Sequence, residues 1–249
     1  MPASTWVAGE INSQLQSLIA LVAVNVLLVS ATIGVFWAGV IVARLLKHSV
    51  SFSLSPLGFA RPRRGALVGV GVGVAVGLLA VFVGGMVNLL TKVAFERLGY
   101  STESRVQQEF MRSMTGWIQD QPEIAIPSII AVVVLFGPFA EELIFRGGIF
   151  NGLHRLGLLI FRKIAGKRSS AFAAFTSFAL AALLSSAFFA SLHLEPVLLP
   201  SLLLLAVALC WLFRWSESLI PPFVAHATFN SFATVLIILS GLDLFELPI

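Results

Sequence analysis

Six runs of about twenty apolar residues dominate this sequence of 249 residues. An α-helix of about that length crosses the hydrocarbon core of a bilayer. Only 11% of the residues are charged, whereas soluble domains carry about 25%. The sequence therefore predicts an all-α, polytopic membrane bundle of one domain, with about six and at most about eight transmembrane helices. The runs lie at about 17–43, 66–90, 127–150, 171–193, 197–213 and 218–241.

The basic residues fall unevenly on alternate loops. Eleven basic residues lie at or after the first run and after the third and fifth runs, whereas Lys92, Arg97, Arg105 and Arg112 follow the second run and Arg146 lies inside the third. Because loops rich in lysine and arginine stay in the cytoplasm, the loops after the first, third and fifth runs are expected there. Both termini are then expected on the opposite side. The formal net charge of +4 is then a property of loops, and no nucleic-acid partner is expected. The eleven basic residues at or after the first, third and fifth runs are Arg44, Lys47, Arg61, Arg63, Arg64, Arg155, Arg162, Lys163, Lys167, Arg168 and Arg214.

Two further patterns concern packing. Between the second and third runs, apolar residues recur at helical spacing among charged residues: Val106, Phe110, Met111, Met114, Trp117 and Ile118. This pattern predicts an amphipathic helix on the membrane surface, with a flap over a site as the alternative. In the second run a glycine occurs at every fourth position, which lets a neighbouring helix approach closely. These glycines are Gly65, Gly69, Gly73 and Gly77.

The third run contains a polar cluster, Glu141, Glu142 and Arg146. An ionisable side chain at mid-bilayer costs on the order of 3 kcal/mol, so such residues are candidates for function. Glu142 and Arg146 lie four residues apart on one helix face and are expected to pair. Glu141 projects about 100° away and has no cation one turn along its own helix. We expect it to find a partner on another helix, to hold a proton or to contact water.

Two histidines lie in or beside the later runs. Phe189 and His193 are one turn apart, so the aromatic ring is expected to orient the imidazole. His226 and Asn230 are four residues apart and place two hydrogen-bond donors on one helix face. The two remaining histidines sit beside basic residues at loop junctions, are expected to be solvated and are excluded from the site. They are His48 and His154.

Together these groups meet the requirements for hydrolysing an amide. A glutamate without a local ion pair can deprotonate water, a histidine can relay the proton, and paired donors can meet the developing oxyanion. A serine nucleophile stays open, although no nucleophile-elbow pattern surrounds Ser185, Ser186 or Ser191. The alternative outside catalysis is a transporter or immunity protein that keeps the polar cluster for stability.

Taken in order, the three motifs resemble the signature of the CAAX-processing and bacteriocin-processing family of intramembrane endopeptidases, also called CPBP or Abi. The motifs are E-E-x-x-x-R at 141–146, F-x-x-x-H at 189–193 and H-x-x-x-N at 226–230. The resemblance covers about residues 125–241, which would form a catalytic core similar to that of type II CAAX prenyl proteases. Residues 1–124 would supply the N-terminal helices and the surface segment.

The resemblance implies a multi-pass membrane protein, in the plasma membrane if the source is a prokaryote, that cleaves a membrane-associated or prenylated, CAAX-like protein or peptide precursor. Glu141 would activate the attacking water, assisted by His193. His226 and Asn230 would bind the oxyanion. The residues expected to support this geometry are Glu142, Arg146 and Phe189.

The resemblance also bears on cofactors. Members have been described as metalloproteases, but the metal-free glutamate mechanism is the one expected here. Zinc held by His193, His226 and one glutamate is the alternative.

The depth of His193 in the membrane conflicts with that of the other site residues. If every span crossed the bilayer straight, His193 would lie near the outer surface, whereas Glu141 and Asn230 would lie near mid-depth. The fourth helix is therefore expected to be tilted or to have other ends, unless the orientation is reversed. The oligomeric state stays open.

Overall fold

The computed structural model describes residues 4–102, 105–165 and 170–245, and side chains within 14–102, 108–164 and 171–245. In these ranges the chain forms helices and no strand, and six helices are long and apolar enough to cross a membrane. The prediction of an all-α polytopic bundle is confirmed, and the chain is an integral, multi-pass membrane protein. Lys167 and Arg168 lie outside the described residues, and the predicted orientation stays a prediction.

The third span differs most from its predicted bounds of 127–150. It runs over Pro122–Ile164 and contains two π-helical segments, π1 (Ile130–Phe136) and π2 (Leu143–Phe150). The span is longer than predicted because an amphipathic helix continues it beyond the apolar run. The α-helices are α1 (Ser4–Leu45), α2 (Ala66–Arg97), α3 (Arg105–Asp120), α4 (Pro122–Ile129), α5 (Gly137–Glu142), α6 (Asn151–Ala165), α7 (Ser170–Ser191), α8 (Leu199–Ser216) and α9 (Ile220–Gly241).

Helices α2 and α9 pack together in parallel through the predicted glycine face. A Cβ atom on Gly73 would lie 2.8 Å from the carbonyl oxygen of Pro221, and one on Gly77 would lie 2.6 Å from that of Ala225. The close approach predicted from the glycine spacing is confirmed at these positions. Gly65 takes no part, since it precedes α2 and faces open space.

Helix α3 is amphipathic as predicted, but its apolar face packs mainly on protein, while Phe110 is 41% exposed. Met114, Trp117 and Ile118 are buried in a cluster that includes Ile237 near the end of α9. A Cβ atom on Gly241 would lie 2.7 Å from the Cβ of Ile118. The expectation of a helix whose apolar face rests on the membrane surface is therefore corrected. Helix α3 covers the C-terminal end of α9.

Helix α7 is shifted along its axis relative to α8 and α9. Phe189, in its last turn, packs in one cluster with Ala206 and has its ring centroid 5.7 Å from that of His226. Ala206 lies seven residues into α8, or about 10 Å from its beginning at a rise of 1.5 Å per residue. The last turn of α7 therefore lies beside the interior of its neighbours. His193 is expected from the sequence nearer the membrane surface than Glu141 and Asn230 only if the fourth span ends at the same depth as its neighbours. The shift of α7 removes that assumption.

Candidate active site

A proline shapes the helix just before the glutamate pair. The N–H of Gly137 donates to the carbonyl of Val132, five residues back. The next residue, Pro138, has no N–H to offer the carbonyl of Val133 in the same pattern. The side-chain amide of Asn230 supplies the missing donor, with Nδ2 3.0 Å from the Val133 oxygen. One π-helical segment on each side of α5 thus sets the rotation at which Glu141 and Glu142 leave the helix.

Glu142 forms the buried centre of the cluster. Its side chain is fully buried, and Oε1 lies 3.0 Å from a terminal nitrogen of Arg146 and 2.8 Å from Nδ1 of His226. The pair that the four-residue spacing predicted is therefore present. A buried ion pair needs further hydrogen bonds to offset the loss of hydration, and Nδ1 of His226 donates one to the same oxygen.

Arg146 is held on three sides within the bundle. Besides its ion pair with Glu142, Arg146 donates a hydrogen bond from Nη2 to the carbonyl oxygen of Ala206 at 3.4 Å. The guanidinium carbon lies 4.7 Å from the centre of the Phe189 ring. Such cation–π contacts are strongest where water is excluded. Arg146 therefore joins α8 and the last turn of α7 to the helix that carries the glutamates.

Glu141 occupies a different environment from its neighbour. Its side chain is 32% exposed, and Oε2 lies 3.7 Å from Nε2 of His226. The partner expected on another helix is thus His226, on α9. A separation of 3.7 Å is too long for a direct hydrogen bond, but one water molecule can bond to both atoms. Glu141 is the carboxylate of the pair that can meet solvent.

His226 stands between the two glutamates. Its Nδ1 faces the buried Glu142, so Nε2 faces the partly exposed Glu141. Because an ionised carboxylate only accepts hydrogen bonds, Nδ1 carries a hydrogen when it bonds to Glu142. The remaining nitrogen, Nε2, is the one available to a substrate or water.

Phe189 positions His193 as its spacing predicted. The two rings have centroids 4.9 Å apart, and Nδ1 of His193 lies 3.1 Å from the carbonyl oxygen of Phe189. Because a carbonyl can only accept, Nδ1 donates and Nε2 keeps a lone pair in the neutral ring. His193 itself is exposed and lies in the turn that follows Ser191, just beyond the end of α7.

Comparison with known proteins finds a family match for part of the chain. Residues 123–232, which include all three motifs, match the sequence model of a family described as Type II CAAX prenyl endopeptidase Rce1-like. Through these residues the chain resembles the Rce1-like family. The match supports an intramembrane protease. No curated protein and no solved structure matches the chain.

Contacts join six of the seven sequence-predicted site residues of this Rce1-like chain into one cluster. His226 contacts both glutamates, and the ring of Phe189 contacts His226, His193 and Arg146. Asn230 lies one turn from His226, and its described bond goes to the π1 backbone. Sequence reasoning missed that backbone acceptor, although Pro138 was a signal for it. It also missed the carbonyl of Ala206, for which the sequence gives no signal.

The serines beside His193 are bonded to other groups. Ser185 donates to the carbonyl of Phe145 at 3.2 Å, and Ser191 donates to the carbonyl of Phe188 at 2.8 Å. Ser186 lies 3.9 Å from the sulfur of Cys210. None of these contacts is the serine–imidazole pair that activates a serine nucleophile, so the geometry favours a glutamate over a serine.

His154 is not solvated, which corrects the expectation from its basic neighbours. It is 5% exposed, it stacks on Phe150, and its Nδ1 lies 3.0 Å from the hydroxyl of Ser177. Burial follows because the third span continues as α6, which packs on α7. His48 is exposed, as expected.

The donor set of this Rce1-like site does not fit a metal ion. In the described ranges, no three side chains of His, Cys, Asp or Glu converge so that they could hold one. Both nitrogens of His226 face glutamates, and Oε1 of Glu142 already bonds to Arg146. A catalytic zinc needs three ligands with lone pairs aimed at one point.

Proposed function

We propose that this Rce1-like chain cleaves a peptide bond of a prenylated, CAAX-like protein or peptide, with Glu141 as the base that activates water. The observation that carries the proposal is the contrast between two adjacent carboxylates. Glu142 is sealed between Arg146 and His226, whereas Glu141 is partly exposed and faces Nε2 of His226 across 3.7 Å. That separation accommodates one water bonded to both groups.

The reaction begins with transfer of a proton from water to the Glu141 carboxylate. The water oxygen then bonds to the peptide carbonyl carbon, and the carbonyl oxygen becomes an oxyanion. The neighbouring Glu142 and His226 are buried, so charges and dipoles act more strongly there than in solution. A positioned general base of this kind contributes about 10²- to 10⁴-fold to the rate.

His226 and Asn230 are the proposed donors to the oxyanion. With Nδ1 directed to Glu142, a protonated His226 presents Nε2–H on the side of Glu141. Asn230 uses one Nδ2 hydrogen for Val133, and the amide carries a second. Because both donors are held by other groups before substrate arrives, little reorganisation is needed when the charge develops.

His193 is the proposed proton relay to the leaving amine. Its Nδ1 is committed to the carbonyl of Phe189, which leaves the Nε2 lone pair to accept the proton held by Glu141. Transfer of that proton to the amine nitrogen, as the C–N bond breaks, regenerates the Glu141 carboxylate. The two products are a shortened peptide and the released C-terminal fragment.

The test uses purified full-length protein in nanodiscs and a quenched fluorescent peptide that ends in a farnesylated CAAX sequence. We expect Glu141→Gln to lower kcat by at least about 100-fold, with an unchanged thermal midpoint. Glu123→Gln is the matched control, because Glu123 is an exposed carboxylate at the far end of the same span.

Cleavage by Glu141→Gln at the wild-type rate would refute the mechanism. The unprenylated twin of the peptide tests the substrate class separately. We expect a much lower kcat/KM for the twin, and equal cleavage of the two peptides would refute the prenyl preference while leaving the glutamate mechanism standing.

A further inference from the structure

A second polar site lies where α2 begins and α8 ends. Two adjacent cavities of about 520 and 360 Å³ open there, and Arg63 and Arg214 line both. No residue of the candidate active site lines either cavity. The five arginines around the two cavities are Arg61, Arg63, Arg64, Arg155 and Arg214, and we call this group the arginine site.

The positive charge of the arginine site is poorly balanced. Among the described residues that line the cavities, Glu217 is the one acid. Its Oε1 is shared by Arg63 at 3.4 Å and Arg214 at 3.3 Å, and all three side chains are about half exposed or more. Exposed ion pairs of this kind contribute about 0–1 kcal/mol. The guanidinium groups therefore remain available to a stronger anion.

The backbone under the arginine site is tied in place. The N–H of Arg63 donates to the carbonyl of Ser216 at 3.1 Å, and the N–H of Leu219 donates to that of Gly58 at 3.0 Å. The hydroxyl of Ser218 donates to the carbonyl of Ala60 at 2.6 Å. These three bonds join the segment before α2 to the turn between α8 and α9, so the arginines project from a fixed frame.

Two tryptophans form the wall of the larger cavity. Trp211 and Trp215 lie one turn apart on α8, with ring centroids 6.1 Å apart and planes 18° from parallel. The guanidinium carbon of Arg64 lies 5.3 Å from the centre of the Trp215 ring. Trp211 is about half exposed. Indole rings at the end of a membrane span are typical of the depth of lipid headgroups.

We propose that the arginine site binds the phosphate headgroup of an anionic phospholipid. Guanidinium groups match phosphate oxygens through paired, charge-assisted hydrogen bonds. Basic pockets between the ends of membrane helices are a known setting for acidic headgroups. The two indole rings are amphipathic and suit the glycerol and the first acyl-chain carbons of a phospholipid. A free phosphate has neither of these groups. This combination favours a lipid over a soluble anion.

Native mass spectrometry of the full-length protein in detergent tests the proposal. The protein is titrated with phosphatidylglycerol or with phosphatidylcholine of the same acyl chains. We expect the wild type to retain one phosphatidylglycerol in preference to phosphatidylcholine. The double variant Arg64→Gln/Arg214→Gln is expected to lower the phosphatidylglycerol-bound fraction at least about 5-fold, and each single variant is expected to lower it by less.

A matched control removes two positive charges elsewhere. Arg162 and Lys163 are exposed on α6 and line neither cavity, so Arg162→Gln/Lys163→Gln is expected to bind phosphatidylglycerol as the wild type does. Equal retention of the two lipids by the wild type would overturn the proposal, as would equal losses in the two double variants. A third arm adds inorganic phosphate alone. Displacement of the lipid by equimolar phosphate would show a free-anion site and refute the lipid assignment.

Discussion

The side-chain amide of Asn230 donates a hydrogen bond to the carbonyl oxygen of Val133, 97 positions earlier in the chain, at 3.0 Å. The bond exists because Pro138 removes the backbone donor that π1 would otherwise supply. Asn230 therefore has a structural function beside its proposed catalytic one. It fixes the helix that carries Glu141 against the helix that carries His226.

Asn230→Ala is expected to destabilise the protein by about 1–3 kcal/mol, because the Val133 carbonyl loses its donor inside the bundle. Pro138→Ala restores a backbone N–H that can reach this carbonyl. The double variant is therefore expected to lose less stability than the sum of the two single variants, as measured by chemical denaturation in detergent. Strict additivity would show that the Asn230–Val133 bond is not what the alanine removes.

Glu142→Gln is expected to damage the fold more than Glu141→Gln. The substitution leaves Arg146 buried without its counter-charge, and breaking a buried pair from one side costs about 3–5 kcal/mol. We expect a large fall in thermal midpoint and in folded yield. The double variant Glu142→Gln/Arg146→Gln, which removes both charges, is expected to recover much of the loss. A Glu142→Gln protein as stable as Glu141→Gln would contradict the roles given to the two carboxylates.

Phe189→Ala is expected to lower stability by about 3–5 kcal/mol, the usual cost of deleting a fully buried aromatic ring. The ring touches Arg146, His193 and His226, so cleavage is expected to fall with it. The adjacent Phe188 is the control, because it is 51% exposed. Denaturation curves for the two alanine variants check the difference, and similar midpoints would speak against a central position for Phe189.

The sequence predicted interactions that lie within one helix turn. Four-residue spacing was enough to pair Glu142 with Arg146, because helix geometry alone places them together. The same reasoning could not pair Glu142 with His226, 84 positions away, because that contact depends on how two helices dock. The motifs still indicated the site, because an ionisable side chain inside a membrane span is costly. That cost is visible in the sequence even where the partner of the side chain is distant in the chain.

Packing between distant segments explains the errors. His154 carries polar neighbours, so local composition indicated solvent, yet α7 buries it against Ser177. The apolar stripe of α3 predicts a helix face in contact with lipid. A stripe of that kind fits a protein neighbour equally well, and the end of α9 provides one. Neither outcome is encoded in the few residues around the position.

Gly77→Ala tests the contact that holds α9, and with it His226, in register. A new Cβ would lie 2.6 Å from the Ala225 carbonyl oxygen and 2.7 Å from the Cβ of Thr228. Overpacking of this kind costs about 1–3 kcal/mol, and the displaced helix is expected to lower kcat as well. Gly85→Ala, on the same helix, meets nothing within 4 Å and is expected to be neutral or slightly stabilising. Thermal melts and cleavage rates of both variants make the comparison.

Metal chelation separates the proposed glutamate mechanism from the zinc alternative. Nδ1 of His226 and Oε1 of Glu142 are already bonded to each other in the structure, so we expect millimolar 1,10-phenanthroline to leave the cleavage rate of the purified protein unchanged. Its non-chelating isomer, 1,7-phenanthroline, controls for binding of the aromatic compound to the bundle. Loss of activity with the chelating isomer alone, followed by recovery on addition of Zn²⁺, would replace Glu141-activated water with metal-bound water. Elemental analysis of the active fraction gives an independent readout, with an expected zinc content far below one atom per chain.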